Sequence, residues 1–200
     1  MIRNIIFDFG KVLVGYDFDL YISKLITDTA EQQRFKQLVC DDDFVNLCDK
    51  EDTPIADIIA EQQRLHPEWE EPLQMFHDRF TECITGEVPG MRDLLARLRS
   101  QGYALYGLTN WSSLVYPVIA KYDILRMLDD RLISSEEHLL KPDVRIYRRL
   151  TEKFGLKADE CLFTDDKPAN VEGARAAGMQ GIVFVDARQF EQDLRVCLER

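Results

Sequence analysis

Short apolar runs and longer stretches of helical spacing alternate along this chain, and their order predicts its architecture. Five runs read as β-strands: residues 4–9, 103–108, 131–134, 160–164 and 181–185. Each is short and rich in apolar or β-branched side chains. Helical patterns lie between them. Residues 91–100 place Leu94, Leu95 and Leu98 on one face and stop at Gly102, a residue suited to ending a helix. Residues 144–154 follow Asp143 as an N-cap and end at Gly155, and residues 168–177 start on Pro168 and end before Gly178. Strand and helix in alternation predict an α/β fold. The expected form is a doubly wound parallel sheet with helices on both faces and right-handed crossovers.

Residues 17–86 break the alternation. They contain no convincing strand and read as three helical stretches: residues 20–38, a helix capped by Thr53-Pro54 and running to about Leu65, and residues 70–85. So long a segment is more than one crossover needs, which predicts a small α-helical cap domain over the sheet rim. The domain division is then 1–16 and 87–200 for the core and 17–86 for the cap. Its position directly after the first strand suits a lid that closes over a site.

Composition narrows the function classes. With 46% hydrophobic residues in 200, the chain can bury one good core. It carries 25 basic and 36 acidic residues, a formal charge of −11, with no basic stretch to offset it locally. Nucleic acid and anionic membranes are therefore unsuited partners, and an anionic substrate would need a local cation. The five cysteines are scattered and odd in number, as expected of free thiols in a reducing compartment. Met1-Ile2-Arg3 leads straight into a strand that Asp8 interrupts, and no later run could span a bilayer. These features predict a cytoplasmic protein.

The candidate chemistry sits where the strands end. Asp8 follows the first run, Thr109-Asn110 the second, Lys141-Pro142 comes after the third and Asp165-Asp166 ends the fourth. Parallel strands would bring all four groups to one rim, the place where open α/β sheets bind ligands. Three carboxylates there repel unless a cation holds them, and an all-oxygen set suits Mg²⁺. A carboxylate can attack phosphorus to form an aspartyl phosphate. Thr109 and Asn110 can donate hydrogen bonds to phosphoryl oxygens, and Lys141 supplies compact positive charge.

These motifs resemble those of the haloacid dehalogenase superfamily, in its phosphatase-like branch with a helical cap after the first motif, such as glucose-1-phosphate phosphatase-type members. The resemblance runs over about residues 4–185. Ile5-Ile6-Phe7-Asp8-Phe9-Gly10 is similar to the nucleophile motif, Leu108-Thr109-Asn110 to the second, Lys141-Pro142 to the third, and Phe163-Thr164-Asp165-Asp166 with Asn170 to the acidic fourth. It implies Asp8 as nucleophile and metal ligand, the Gly10 carbonyl and Asp166 as further ligands, Asp165 supporting the metal, and Asn170 as an orienting partner. It also implies Mg²⁺ as cofactor and a small phosphorylated substrate, with sugar phosphates among the candidates.

One position departs from the family pattern. Phosphatases of the superfamily usually carry an acid two residues after the nucleophile, to protonate the leaving oxygen and later activate water; here that residue is Gly10. Such help is worth roughly 10²–10⁴ in rate. Gly10 alone therefore predicts rates that depend steeply on the leaving group's pKa. The same glycine keeps two alternatives in view: a dehalogenase, whose halide leaves without a proton, and a binding protein that retains the fold without turnover. Tyr16, Asp17, Phe44, Asn46 and Trp111 are the candidate lining residues.

Overall fold

The computed structural model describes residues 1–198. Its centre is a five-stranded parallel sheet: β1 (Asn4–Phe7), β4 (Ala104–Thr109), β5 (Asp130–Ile133), β6 (Cys161–Asp165) and β7 (Gln180–Val183), in spatial order β5-β4-β1-β6-β7. From β1 the chain winds outward through β4 and β5, then returns to the other side for β6 and β7. The reversal falls between β1 and β6. That is the crevice at which ligands meet open sheets, and here it is flanked by Asp8 and Asp165-Asp166.

Alternate residues of each strand feed two separate cores, as a pleated sheet requires. Ile5, Phe7, Leu105 and Leu162 pack towards α6 (Met91–Ser100) and α11 (Ala187–Leu198), meeting Leu94, Leu95, Leu98 and Phe190. Ile6, Leu108 and Phe163 pack on the opposite face, against Ile146, Tyr147 and Leu150 of α9 (Val144–Phe154) and Ala174 of α10 (Pro168–Ala176). Helix α9 begins where Asp143 accepts a hydrogen bond from the Arg145 N–H and ends at Gly155, which takes the left-handed φ of 66°.

The cap holds α1 (Phe18–Leu25), α2 (Thr29–Val39), α3 (Asp42–Lys50), α4 (Ile55–Leu65) and α5 (Glu70–Asp78). It differs from the sequence expectation in three places. The stretch 20–38 is two helices, because Ile26 is extended and the Asp28 side chain caps a new start on the Glu31 N–H. Helix α3, not anticipated, begins where Asp41 accepts from the N–H groups of Asp43 and Phe44. The segment 70–85 leaves the helix after Asp78, and Ile84–Glu87 is a strand, β3, paired antiparallel with β2 (Val14–Tyr16). β2 and β3 thus form one ribbon that brackets the helical segment at both ends. Its pairing is non-local and β3 contains Gly86, so no local pattern announces it.

Candidate active site

Asp8 directly follows β1, and its N–H is held by the Thr164 carbonyl of β6 at 3.0 Å. Asp165 is the last residue of β6 and Asp166 follows it. Carboxylate oxygens of Asp8, Asp165 and Asp166 all lie within 4.8 Å of one another, and among the described residues they are the one such group of candidate metal ligands. An all-oxygen donor set of this kind fits Mg²⁺.

Lys141 is the counter-ion. It stands on a loop beyond β5, with a short helix, α8 (Ser134–Glu137), that the sequence reading did not include, and only 5% of it is exposed. Its ammonium group donates to Asp8 Oδ1 at 2.7 Å, Asp165 Oδ2 at 2.6 Å and the Leu108 carbonyl at 3.0 Å. The three ammonium hydrogens meet three acceptors, so Lys141 acts on the site through Asp8 and Asp165. Asp165 is fully buried and also accepts from Asn170 Nδ2 at 2.9 Å and the Lys167 N–H at 2.8 Å. With these bonds Asp165 organises the cluster, while Asp166 faces the cavity. Asn110 clasps the loop bearing Lys141: its Nδ2 donates to the Lys141 carbonyl at 3.0 Å and its Oδ1 accepts from the Lys141 N–H at 2.8 Å. Thr109, at the end of β4, lines the cavity beside it.

Burial is the main influence on the charges. It pushes the Asp8 carboxyl up to about 6; Lys141 pulls downward and Asp165 adds repulsion. Burial acts against a charged Lys141, yet Asp8 and Asp165 outweigh it and hold the ammonium above its usual range. Asp166 is also raised, by burial and then by Asp165, with Lys11 opposing.

The residues face a cavity of ≈ 360 Å³ between rim and cap. Asp8, Gly10, Thr109, Asn110, Lys141 and Asp166 line its core side, while Phe18, Phe44, Val45, Ile55, Phe76 and Phe80 are among those lining its cap side. Of the candidate lining residues, Tyr16, Phe44, Asn46 and Trp111 border it. Asp17 does not; its carboxylate caps α1 by accepting from the Leu20 N–H at 2.9 Å. A wider surface depression on the cap, bordered by Glu31, Arg34, Gln63 and Trp69, shares no lining residue with this cavity.

The model of the haloacid dehalogenase-like hydrolase family matches residues 5–184. The chain belongs to this family. A sesquiterpene phosphatase of Aspergillus oryzae is 32% identical over 120 residues, covering 60% of this chain and 58% of that protein. A glyceraldehyde 3-phosphate phosphatase of Pyrococcus furiosus is 32% identical over 114 residues, covering 54% and 46% respectively. The chain thus spans about half the length of the curated relatives it matches. Among solved structures, a haloacid dehalogenase family enzyme of Bacteroides thetaiotaomicron, in complex with magnesium and inorganic phosphate, superposes with a TM-score of 0.73. It is 19% identical and the match covers 94% of this chain and 96% of that one, which shows a shared fold.

Two features of this haloacid dehalogenase-like site were not readable in the sequence. The first concerns Gly10, where a Cβ would lie 3.0 Å from Tyr16 Cε1. The Tyr16 ring stands beside the position a family acid would occupy, and burial and nearby carboxylates hold its phenol well above its usual range. The second is Asp49 of α3, which borders the cavity from the cap. It sits in a segment, residues 41–52, with so many acids that no pattern marks one out.

Proposed function

We propose that this protein is a Mg²⁺-dependent phosphatase that hydrolyses small phosphate monoesters through an aspartyl phosphate on Asp8. The observation that carries the reading is the cluster of Asp8, Asp165 and Asp166, of which Lys141 pairs with Asp8 and Asp165 only. Three carboxylates face one lysine, leaving excess negative charge at the rim. A cation with oxygen ligands relieves it, and a phosphate ester is the substrate class that uses such a cation. Asp8, Asp166 and the Gly10 carbonyl would hold Mg²⁺, with Asp165 and Asn170 supporting them. When bound, Mg²⁺ supplies charge neutralisation between the attacking carboxylate and the phosphoryl group.

The chain's own residues divide the remaining work. Lys141 holds Asp8 Oδ1, which fixes the carboxylate and leaves its other oxygen to attack phosphorus. Thr109 and the second amide hydrogen of Asn110 donate to the phosphoryl oxygens, where charge accumulates as the leaving bond breaks. The cap covers the reacting centre and excludes water. A cavity of ≈ 360 Å³ suits a small ester, with sugar phosphates within its size, and the aromatic cap wall favours a leaving group with a ring face. Phosphatase names among the relatives support the same class.

The test is an assay of p-nitrophenyl phosphate and of 2-chloropropionate, each with Mg²⁺ and with excess chelator. Phosphate release that requires Mg²⁺ is expected, with no chloride release. Chloride release that ignores the chelator would overturn the reading in favour of a dehalogenase, and silence in all four conditions would favour a binding protein.

A further inference from the structure

A phosphatase of this kind needs a proton at the leaving oxygen, and Gly10 brings none. Position 10 has no side chain to fill the gap, and the Tyr16 ring stands 3.0 Å from where a Cβ would be. Lys11 is exposed, takes a left-handed φ of 60° and lies 5.2 Å over the outer side of the Tyr16 ring. Asp17 is spent on capping α1. The core side of the cavity therefore offers no spare carboxylic acid, since Asp8, Asp165 and Asp166 form the metal cluster.

The cap side offers two: Asp42, exposed at the first residue of α3, and Asp49, which is half-buried in its last turn. We propose that Asp49, carried over the rim by α3, is the general acid and then the general base of the reaction, in place of the acid missing at position 10. The assignment rests on the phosphatase reading above.

Geometry supports it first. Asp49 borders the same cavity as Asp8, Asp166 and Lys141 and comes to it from the cap, the part of the lining left for a leaving group once the phosphoryl end meets the rim. The last turn of α3 is fastened to the core around it. Ser134 Oγ donates to the Asp49 carbonyl at 2.5 Å and accepts from the Trp111 N–H at 2.8 Å. Glu51 accepts from the Ser113 N–H at 2.6 Å and from Ser113 Oγ at 2.8 Å. His138 Nδ1 lies 3.1 Å from the Lys50 carbonyl. Three attachments within three residues fix the height of this turn above the rim, which is the positional control a proton donor needs.

Acidity supports it second. Burial pushes the Asp49 carboxyl up to about 7; Lys167, the Ser112 N–H and Lys141 pull it down, and Asp8 across the cavity pushes it up. Tyr16, the other hydroxylic group at this spot, is a far weaker acid, as burial and the Asp166, Asp8 and Asp49 carboxylates keep its proton on. A donor is most effective when its pKa lies near the working pH, which favours the carboxyl over the phenol.

The step balances. An Asp8 oxygen forms a bond to phosphorus as the bond from phosphorus to the ester oxygen breaks. The Asp49 proton moves to that oxygen, releasing the alcohol and leaving the Asp49 carboxylate. A water molecule then attacks phosphorus, giving its proton to Asp49, as the bond from Asp8 to phosphorus breaks and phosphate departs. The steep leaving-group dependence expected from Gly10 alone therefore belongs to the Asp49→Asn variant, and the native protein should show a shallow one.

The experiment compares native protein, Asp49→Asn and Tyr16→Phe on phosphate esters graded from p-nitrophenyl to alkyl, at saturating Mg²⁺, with circular dichroism and thermal unfolding as fold controls. Asp49→Asn should lose only a few-fold in kcat/KM on p-nitrophenyl phosphate and roughly 10²–10⁴ on an alkyl phosphate. With p-nitrophenyl phosphate it should also accumulate acid-quenchable phosphoenzyme, because breakdown lacks its base; a purely structural role would not do this. Asp49→Ser replaces the amide if that variant misfolds. Equal losses across the series, or none, with no accumulated phosphoenzyme, would overturn the assignment. So would a steep dependence in Tyr16→Phe alone. A native protein that hydrolyses none of the esters would instead remove the phosphatase reading, and Asp49 with it.

Discussion

On the sheet rim, Lys141, Asp165 and Asn110 are tied to one another and to the backbone by short, buried hydrogen bonds, whereas the cap wall across the cavity is mostly phenylalanine and branched aliphatic carbon. The rim cannot shift one group without breaking the others. The cap touches the rim through a few polar bonds at the end of α3 and otherwise through apolar contact such as that between Phe80 and Trp111, whose ring centres are 6.1 Å apart. The contrast sets the nucleophile and its counter-ion among buried polar bonds, and leaves the cap wall, apart from the fastened end of α3 that carries Asp49, to apolar packing.

The largest expected effect breaks the rim at its nucleophile. Asp8→Asn should lose on the order of 10⁶ in kcat, the scale of removing a covalent nucleophile, because an amide forms no acyl phosphate. Mg²⁺ titration followed by calorimetry should show weaker binding as well, and full activity would refute the role given to Asp8.

Next in size is the counter-ion. Lys141→Met leaves Asp8 and Asp165 buried without their shared cation, which should cost about 3–5 kcal/mol of stability at neutral pH. Urea unfolding in chelator measures it; an unchanged midpoint would mean that the cluster is already neutralised in some other way.

The third test uses pH. Burial pushes the Asp8 carboxyl up to about 6, well above the range of an aspartate in an unfolded chain, so the native state holds that proton more tightly than the unfolded chain does. The resulting stabilisation is fully present below about pH 4 and is lost as pH rises through 6. Without metal, Asp8→Asn should therefore gain stability relative to the native protein between pH 4 and pH 7.5, by about 3 kcal/mol. Unfolding curves that stay parallel over that range would contradict the raised pKa.

The smallest effect belongs to the cap. Glu51→Gln weakens the acceptor that receives Ser113 N–H and Oγ and so loosens the turn carrying Asp49, which should cost about 1 kcal/mol, seen as a several-fold fall in kcat/KM that is larger on an alkyl phosphate than on p-nitrophenyl phosphate. An unchanged kcat/KM across the series would show that the bond does not position Asp49.

The same division explains what the sequence disclosed. Asp8, Asp165 and Asp166 were legible because each follows a short apolar run, so the strand reading places them without further information. Lys141 was legible as a motif but not as a partner, since its contacts to Asp8 and Asp165 depend on how a loop beyond α8 folds back. Helix α3 was missed because Asp41-Asp42-Asp43 resembles a solvated loop until Asp41 is seen capping the helix. Asp49 was illegible for the same reason: its place over the rim is set by Ser134, Ser113 and His138, all far away in sequence.

The ribbon of β2 and β3 bears on how the chain folds. Val14 lies opposite Glu87, so the excursion into the cap leaves and re-enters the core at points only ~5 Å apart, the spacing of neighbouring strands. For the core, the intervening helices then amount to one long hairpin loop, whose closure entropy grows only with the logarithm of its length. The sheet can assemble before the cap has settled, and the cap can be exchanged for another insertion, or for a tight turn, without altering the register of a single core strand.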